Sequence, residues 1–484
     1  MTIQSRHIAL VLTILTAGPA FAEPATPEGA ARLTSVFETY LGSTPGVVTV
    51  SAEGESYLAV FDPAPFVAMG ADAGVTGTVT PITLTLTDRG GGKWGVVQDE
   101  PLGLTLEVPN VLKLDVGADN WRWSGVFDEA IQSFESSELS MSGMRVEETV
   151  MDPAGTDMEI AYTIDSLTSR STAVAAAGGG VDAKISYRAT GIVETVAAKP
   201  SPDMPMPINA TFRIDTYDVD GDVKGMRTAS VYTLVAWAVA HSSEAEVQAN
   251  LGELSGLIGD SLPIFESISM TGDLTNVLVE SPFGGGGVER ARIEVELNGV
   301  VEDGYVREMI ALKGLTLPEE LMPGWVPALL PDEVSIDFAI KGFNLADPAQ
   351  ILLEAMAKDQ KPDDAMEARL LDALLPDGTV KMAFGPGGAS SDVYAVDFNG
   401  TMEAAPDGEP HGKWMIGASG IDAVLEALNK APDDVRQGAV PAIMLMRGMA
   451  KPEGEDRFVW NIEVTPEGTV LVNDVDMSAM SPKE

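Results

Sequence analysis

The feature that most constrains the fold is a period of two that recurs along most of the chain. Apolar residues alternate with Thr, Glu, Asp or Arg in six segments: residues 78–88, 102–116, 158–165, 208–223, 289–301 and 458–475. Because successive side chains of a strand point to opposite faces, this alternation predicts antiparallel strands with one apolar and one solvated face. Three dipeptides typical of hairpin turns support this prediction, namely Asp220-Gly221, Asn298-Gly299 and Glu467-Gly468.

Helical patterns are fewer and lie between groups of strands. Thr26 followed by Pro27 predicts the start of a first helix. One long apolar stripe runs from Val231 to Ile258, another helix begins at Asp347-Pro348, and a last pair covers residues 421–431 and 435–449. Since helices do not alternate with single strands, the predicted class is α+β rather than doubly wound α/β. We expect long curved antiparallel β-sheets with glycine bends, and a few amphipathic helices packed on one side.

A glycine recurs inside the predicted strands, after a single polar residue. The unit is found at Lys341-Gly342, Lys313-Gly314, Ser142-Gly143, Thr271-Gly272 and Asn399-Gly400. A glycine inside a strand marks a bulge or a sharp bend. Because the residue before the glycine varies, the unit predicts a way of bending strands rather than a site built on Lys341.

The N-terminus has the features of a cleavable signal peptide. Arg6 precedes a short apolar core at residues 8–15, and Ala20-Phe21-Ala22 matches an A-x-A cleavage site. The core is too short to span a bilayer, which needs about 20 apolar residues. Residues 1–22 are therefore predicted to be removed, leaving a periplasmic protein that is not transmembrane.

Proline marks the predicted domain boundary. The segment 199–207, with the sequence KPSPDMPMP, is rich in proline and is interpreted as a linker. It separates an N-terminal strand-rich domain, residues 23–198, from a C-terminal α+β domain, residues 208–484.

Composition argues against several chemistries. The chain has no cysteine, and only His241 and His411 remain after signal cleavage. Thiolate catalysis, Cys-ligated metals and the usual zinc sites therefore lack their ligands. Ser419 in Gly-Ala-Ser-Gly does not complete a nucleophile elbow. We expect no enzymatic activity and no cofactor, with a hydrolase that uses carboxylates alone as the one enzymatic alternative.

The net charge of −43 disfavours nucleic acid as a partner. Asp218, Asp220 and Asp222 resemble the first ligands of an EF-hand loop, but Val223 and Ala229 stand where that loop needs Gly and Glu. Two interpretations stay open: a hairpin with Asp220-Gly221 at its tip, or a loose Ca²⁺ site formed by the three aspartates.

Two apolar segments are candidates for the wall of a groove. Trp325 and Leu329 lie among prolines before a strand that ends near Phe343. Met444 and Met446 lie in a methionine-rich helix, and methionine adapts to irregular apolar partners. These five residues are predicted to line a ligand groove, and the alternative is that they fill an ordinary core.

One stretch resembles a group of exported proteobacterial envelope proteins of unknown function. The match consists of a Pro-Trp-Pro pattern before a strand ending in Gly-Phe-Asx-Leu, carried by Trp325, Pro327, Pro331, Gly342, Phe343, Asn344 and Leu345. More remotely, the strand-rich pattern is similar to AsmA-like envelope proteins, whose sheets form grooves for lipid chains. This resemblance implies lipid handling in the cell envelope and carries over no catalytic residue.

Taken together, the sequence predicts a non-enzymatic periplasmic envelope protein that binds an apolar, lipid-like ligand in a β-sheet groove. The alternative is a structural or protein-interaction module whose acidic surface meets a protein partner or Ca²⁺.

Overall fold

The computed structural model describes residues 24–151, 157–200, 207–318, 322–406 and 408–477. The predicted signal peptide and residues 201–206 of the predicted linker lie outside this part. About 52% of the chain is strand, and all strand pairs are antiparallel. The predicted antiparallel sheet is confirmed, and an α+β class fits, with sheet as the main component.

The first strands are short, and those of the middle are long. The N-terminal strands are β1 (Val48–Glu53), β2 (Ser56–Phe61), β3 (Thr76–Val79), β4 (Ile82–Gly90), β5 (Lys93–Asp99), β6 (Leu102–Val108), β7 (Leu112–Ala118) and β8 (Asn120–Asp128). The middle strands are β9 (Ser133–Val150), β10 (Met158–Ala175), β11 (Val181–Ala198), β12 (Ile208–Met226), β13 (Ser267–Ser281), β14 (Gly284–Asn298), β15 (Gly304–Thr316) and β16 (Glu333–Phe343). The C-terminal strands are β17 (Val380–Ser390), β18 (Ala395–Ala404), β19 (His411–Ser419), β20 (Lys451–Pro452), β21 (Arg457–Val464), β22 (Val470–Val472) and β23 (Val475–Asp476).

The sheet is a meander that forks at one strand. From β9 to β19 each strand pairs with the next along the chain, and β19 then pairs with β21. The edge of β9 opposite β10 is shared by two strands: residues 133–142 pair with β8 and residues 145–150 pair with β7. One branch continues through β5, β4, β2 and β1, and the other through β6 and β3.

Most of the described helices fall into two contact groups, and α1 also packs on strand β1. Helices α1, α3, α5, α6 and α7 contact one another in that order, and α8 contacts α9. The bounds are α1 (Pro27–Leu41), α2 (Ala64–Met69), α3 (Thr228–Ala240), α4 (Glu244–Ala249), α5 (Leu251–Ser261), α6 (Ala346–Ala357), α7 (Asp364–Leu374), α8 (Ile421–Leu428) and α9 (Asp433–Met449).

The predicted cap of the first helix is confirmed. The backbone N–H of Gly29 donates to Thr26 Oγ1 over 3.1 Å, and Pro27 is the first helical residue. The single long helix predicted from Val231 is wrong, because the chain breaks into α3, α4 and α5. Ser243 and Glu246 form a capping box that starts α4 anew.

The turn predictions have mixed outcomes. Gly468 has φ of +79° in the connection between β21 and β22, which confirms the hairpin there. Asp220-Gly221 is not a hairpin tip, because both residues lie inside β12 and pair with β11 and β13. Asn298-Gly299 begins a longer connection, residues 299–303, rather than a two-residue turn. Both dipeptides failed as turn signals because long-range pairing overrode the local preference.

The sheet runs without a break past the predicted domain boundary. Strands β11 and β12 pair from Ala198 with Ile208 to Val181 with Met226. The proline-rich segment thus connects two paired strands of one sheet.

A transverse row of special residues crosses the middle strands, and we call it the crease row: Asp119, Gly143, Asp165, Gly191, Asp215, Asn276, Glu289 and Gly314. Acidic residues alternate with residues of left-handed backbone, namely Gly143 (φ +60°), Gly191 (φ +61°), Asn276 (φ +50°) and Gly314 (φ +68°). On either side of the row the strands keep the same register. The predicted glycine bends are therefore confirmed for Gly143 and Gly314, and also for Gly342 (φ +83°), whereas Gly272 pairs regularly on both sides without a positive φ.

Glycine is required at the crease row for two reasons. Side chains rarely adopt positive φ, because Cβ approaches the backbone too closely. In addition, a Cβ at Gly191 would overlap the carboxylate of Asp165, and one at Gly143 would overlap that of Asp119. At Asn276 the amide donates to Asp215 Oδ2 over 2.6 Å instead. The acid of one strand thus occupies the space left free by the next.

The crease row shifts the alternation of side chains by one residue in β9 to β12. Ile164 precedes the row and Leu167 follows it in β10, yet both pack in one hydrophobic cluster. The buried members of this cluster are Ala118, Met141, Ile164, Ala189 and Ile192. Apolar residues on the two sides of the crease row therefore meet on the same face of the sheet.

Candidate functional site: the apolar face of strands β11 to β16

One face of strands β11 to β16 is apolar over four paired rows, and we call these rows the apolar face. Paired residues of an antiparallel sheet share a face, so register identifies its members. The two central rows are Ile185, Gly221, Met270, Val295, Glu308 and Phe338, and Tyr187, Val219, Gly272, Ile293, Ile310 and Ile336. The outer rows are Ala189, Tyr217, Leu274, Ala291, Leu312 and Val334, and Ala183, Val223, Ile268, Leu297, Val306 and Ile340. Glu308 is the only charged residue among them.

The apolar face is open in its centre. Ile185, Met270 and Ile336 are 43%, 47% and 54% exposed, and Val306 and Ile310 are also exposed. Toward the crease row the face is covered, since Ala189 and Ala291 are buried. Between the exposed side chains lie Gly221 on β12 and the half-buried Ile293 and Val295 on β14, which complete an apolar patch. Exposed apolar patches of this kind mark binding surfaces in soluble proteins.

The opposite face of the same strands is polar and densely ion-paired. Arg307 binds Asp337 and Glu296 over 2.8 Å each, and Glu294 over 3.2 Å. Arg292 binds Glu294 over 2.9 Å and Asp273 over 3.2 Å. These pairs lie side by side across β13 to β16. The guanidinium groups of Arg292 and Arg307 therefore fix the carboxylates of this face in position.

These ion pairs shift the pKa values of the residues that form them. The hydrogen bond from Arg292, helped by Arg307, keeps the pKa of Glu294 below its usual range. Asp337 and Glu296 in turn raise the pKa of Arg307 above its ordinary value, mainly through the hydrogen bond to Asp337. Neither group is poised to exchange a proton near neutral pH, which argues for a structural role.

Of the five residues predicted to line a groove, Phe343 lies apart, whereas the turn that contains Leu329 contacts α8, and α8 contacts α9, which carries Met444 and Met446. Leu329 lies in a 3-10 turn (Pro327–Leu329) before β16, and its carbonyl accepts from Tyr394 Oη over 3.0 Å. Phe343 ends β16, about 30 Å farther along that strand, and packs on Gly304. Trp325 precedes the 3-10 turn, with a buried indole N–H that has no partner among the described residues.

The two methionines of the prediction lie on α9. Met444 and Met446 are 55% and 48% exposed, and the carbonyl of Met446 accepts from Trp460 Nε1 over 2.8 Å. Helix α9 therefore lies next to β21, beyond the C-terminal border of the apolar face. Its methionines face away from the core.

The three aspartates proposed as a Ca²⁺ site lie in a line along β12. Asp218 pairs with Arg188 over 3.3 Å, and Asp222 pairs with Lys184 over 3.5 Å. Alternate residues of a strand are about 6.6 Å apart, so the three side chains do not converge. Within the described ranges no group of three or more His, Asp or Glu side chains is placed to hold a metal.

Two cavities lie outside the apolar face. One of about 470 Å³ is on the polar side of β8 to β12, where Arg122, Arg170 and Arg188 line it together with Glu138 and Asp218. The other, of about 520 Å³, includes Phe384, Gly400, Trp414 and Ile462. These four residues extend the Glu308–Phe338 row into β17, β18, β19 and β21.

Sequence reasoning missed the members of the apolar face, although their signal was present. The alternation in residues 289–301 already separates Ile293, Val295 and Leu297 from Glu294 and Glu296. What the alternation does not contain is which of these residues are exposed, because that depends on contacts with other parts of the folded chain. The conspicuous Trp and Met residues lie elsewhere, whereas the apolar face is an ordinary-looking strand surface.

Comparisons with known proteins leave the site to be interpreted from its own chemistry. No protein-family model, curated protein or solved structure matches this chain. Among the described residues, no helix has the length and apolar character needed to cross a membrane.

Proposed function

We propose that the apolar face binds an apolar, lipid-like ligand in a trough of the bent sheet. The observation that carries the proposal is the set of exposed residues Ile185, Met270, Ile310 and Ile336, which lie on β11, β13, β15 and β16 in two neighbouring rows of one face. Burying apolar area is favourable by roughly 25 cal/mol per Å². A hydrocarbon chain laid along this patch would gain that free energy without displacing any helix.

The trough shape is inferred from the crease row. Ile164 and Leu167 lie on either side of Asp165, yet pack in one cluster on the apolar side. The sheet therefore bends toward that side, while the acids of the crease row lie on the outside, where Asp165 and Asp215 are exposed. Such a bend would set the apolar face at an angle to the apolar residues beyond the crease row, and the trough would lie between the two.

The proposal is for a non-enzymatic role in a protein exported to the periplasm. The paired charges of the polar face support this, since carboxylates fixed by arginine are poor acids and bases. A protein partner that covers the same face is the competing occupant, whereas a Ca²⁺ role of Asp218 and Asp222 has less support because both are paired with cations.

The first test is native mass spectrometry with lipid extraction on protein purified from its own periplasm. We expect a co-purifying lipid, or uptake of n-dodecanol as an uncharged probe by the stripped protein. Ile336→Asp should reduce dodecanol binding by about tenfold, because it places a charge where hydrocarbon must lie. Ser335→Asp, on the opposite face of the same strand, is the matched control and should bind as the wild type does.

A clean mass with no uptake of dodecanol would overturn the carrier role. Equal loss in Ile336→Asp and Ser335→Asp would also count against it, since the effect would not depend on the face. A protein recovered with the chain and released by Ile336→Asp alone would assign the face to a partner instead.

A further inference from the structure

Glu308 interrupts an otherwise apolar surface. Its neighbours across the strands are Val295 and Phe338, about 5 Å away, and along β15 they are Val306 and Ile310, about 7 Å away. The side chain is exposed and has no ion pair or side-chain hydrogen bond within the described part of the chain. Acids on the polar face of the same strands, such as Glu294 and Asp337, are held by arginine.

A ligand that covers this face must deal with that carboxylate. Burying an unpaired charge under hydrocarbon costs several kcal/mol, which would offset much of the gain from apolar contact. A ligand that brings a cationic donor to Glu308 avoids this cost and gains a charge-assisted hydrogen bond. Glu308 lies in a central row with apolar residues on all four sides, so a ligand that covers the apolar face also covers this carboxylate.

We propose that the apolar face selects an amphiphile with an ammonium group, with Glu308 as the residue that receives it. The inference rests on the proposed function and adds the chemical class of the ligand. The hydrocarbon would lie along the Ile293, Ile310 and Ile336 row, and the nitrogen would donate to the Glu308 carboxylate. No covalent step is involved.

The test compares three probes of equal chain length: n-dodecylammonium, n-dodecanol and n-dodecanoate. Calorimetric titration of the wild type should give dodecylammonium an affinity at least tenfold above that of dodecanoate, with dodecanol in between. Glu308→Gln should remove most of this preference while leaving dodecanol binding within about twofold. Glu302→Gln, in the connection before β15, makes the same change in charge away from the face and should retain the preference.

The Glu302→Gln control distinguishes a contact with Glu308 from general attraction of the ammonium probe by the acidic chain. If Glu308→Gln and Glu302→Gln both keep the ammonium preference, the net charge of −43 attracts the probe and the inference is wrong. If the wild type binds all three probes equally, the carrier role stands and the role of Glu308 fails. If no probe binds, the proposed function fails as well.

Discussion

The sheet has a closed region around the crease row in β9 to β12 and an open region in β13 to β16, built from the same alternating sequence. In the closed region Ile164 and Ala189 are 4% and 0% exposed. In the open region Ile310 and Ile336 are 37% and 54% exposed. In the closed region Leu102 from β6 and Trp121 from β8 pack against the cluster as cross-strand partners of Ala118 and Met141. Alternation therefore makes a face apolar, but contacts with the side chains of neighbouring strands decide whether a residue on that face is buried or exposed.

The largest expected effect is at the crease row of the closed region. Gly191→Val places a β-branched residue at φ of +61°, and its Cβ overlaps the Asp165 carboxylate. Backbone strain and overpacking together should lower the free energy of unfolding by about 4 kcal/mol. Urea unfolding followed by circular dichroism measures this loss.

Gly221→Ala is the matched control for that substitution. Gly221 lies on the apolar face with ordinary backbone angles, and the nearest atom to an added Cβ is 3.6 Å away. The free energy of unfolding should change by less than about 1 kcal/mol. Equal losses in the two variants would mean that the crease row has no special demand for glycine.

The next largest loss of stability is expected when an isoleucine of the closed region, rather than one of the open region, is truncated to alanine. Ile164→Ala removes a buried side chain and should cost about 3 kcal/mol in the free energy of unfolding. Ile336→Ala removes an exposed one and should cost less than about 1 kcal/mol. Thermal and urea unfolding of the ligand-free protein would reveal both. A cost at Ile336 equal to that at Ile164 would show that the open region is covered in solution.

Much of the sheet was predictable because its cause is local. The alternation in residues 289–301 is enough to define β14, and Thr26-Pro27 is enough to start α1. The bends at Gly143 and Gly314 were predictable for the same reason, since a glycine inside a strand usually marks a bulge or a bend. The register that lines these glycines up with Asp165 and Glu289 was not predictable, because it is a relation between strands.

The candidate site was much less predictable than the sheet. The sequence names the apolar side of each strand, yet Ile164 and Ile336 look alike in it, and only the contacts made in the folded sheet leave one buried and the other exposed. Trp325, Phe343 and Met444 were chosen as bulky residues in unusual contexts, but the 11 residues of β16 separate the first two. Asp220-Gly221 was misjudged for a related reason, since pairing on both sides holds it inside β12.

The smallest expected loss of stability concerns the ion pairs on the polar face of the open region. Arg307 joins β14, β15 and β16 through Glu296, Glu294 and Asp337, and its side chain is only 23% exposed. Arg307→Gln leaves these carboxylates close together and should lower the free energy of unfolding at pH 7 by about 2 kcal/mol. Arg213→Gln, which breaks the exposed pair with Glu280, should cost only a few tenths of a kcal/mol.

The dependence on pH identifies the cause of that loss. Arg292 and Arg307 lower the pKa of Glu294 in the folded protein, so its stabilising contribution is present above the pKa of the unfolded chain, which is about 4.3. That contribution disappears as pH falls through the lower folded pKa. The gap between wild type and Arg307→Gln should therefore narrow as pH falls from 7 toward about 3, as measured by urea unfolding at each pH. A gap of constant size would mean that Arg307 acts through the packing of its side chain, and that the ion pairs are not what stabilises the open region.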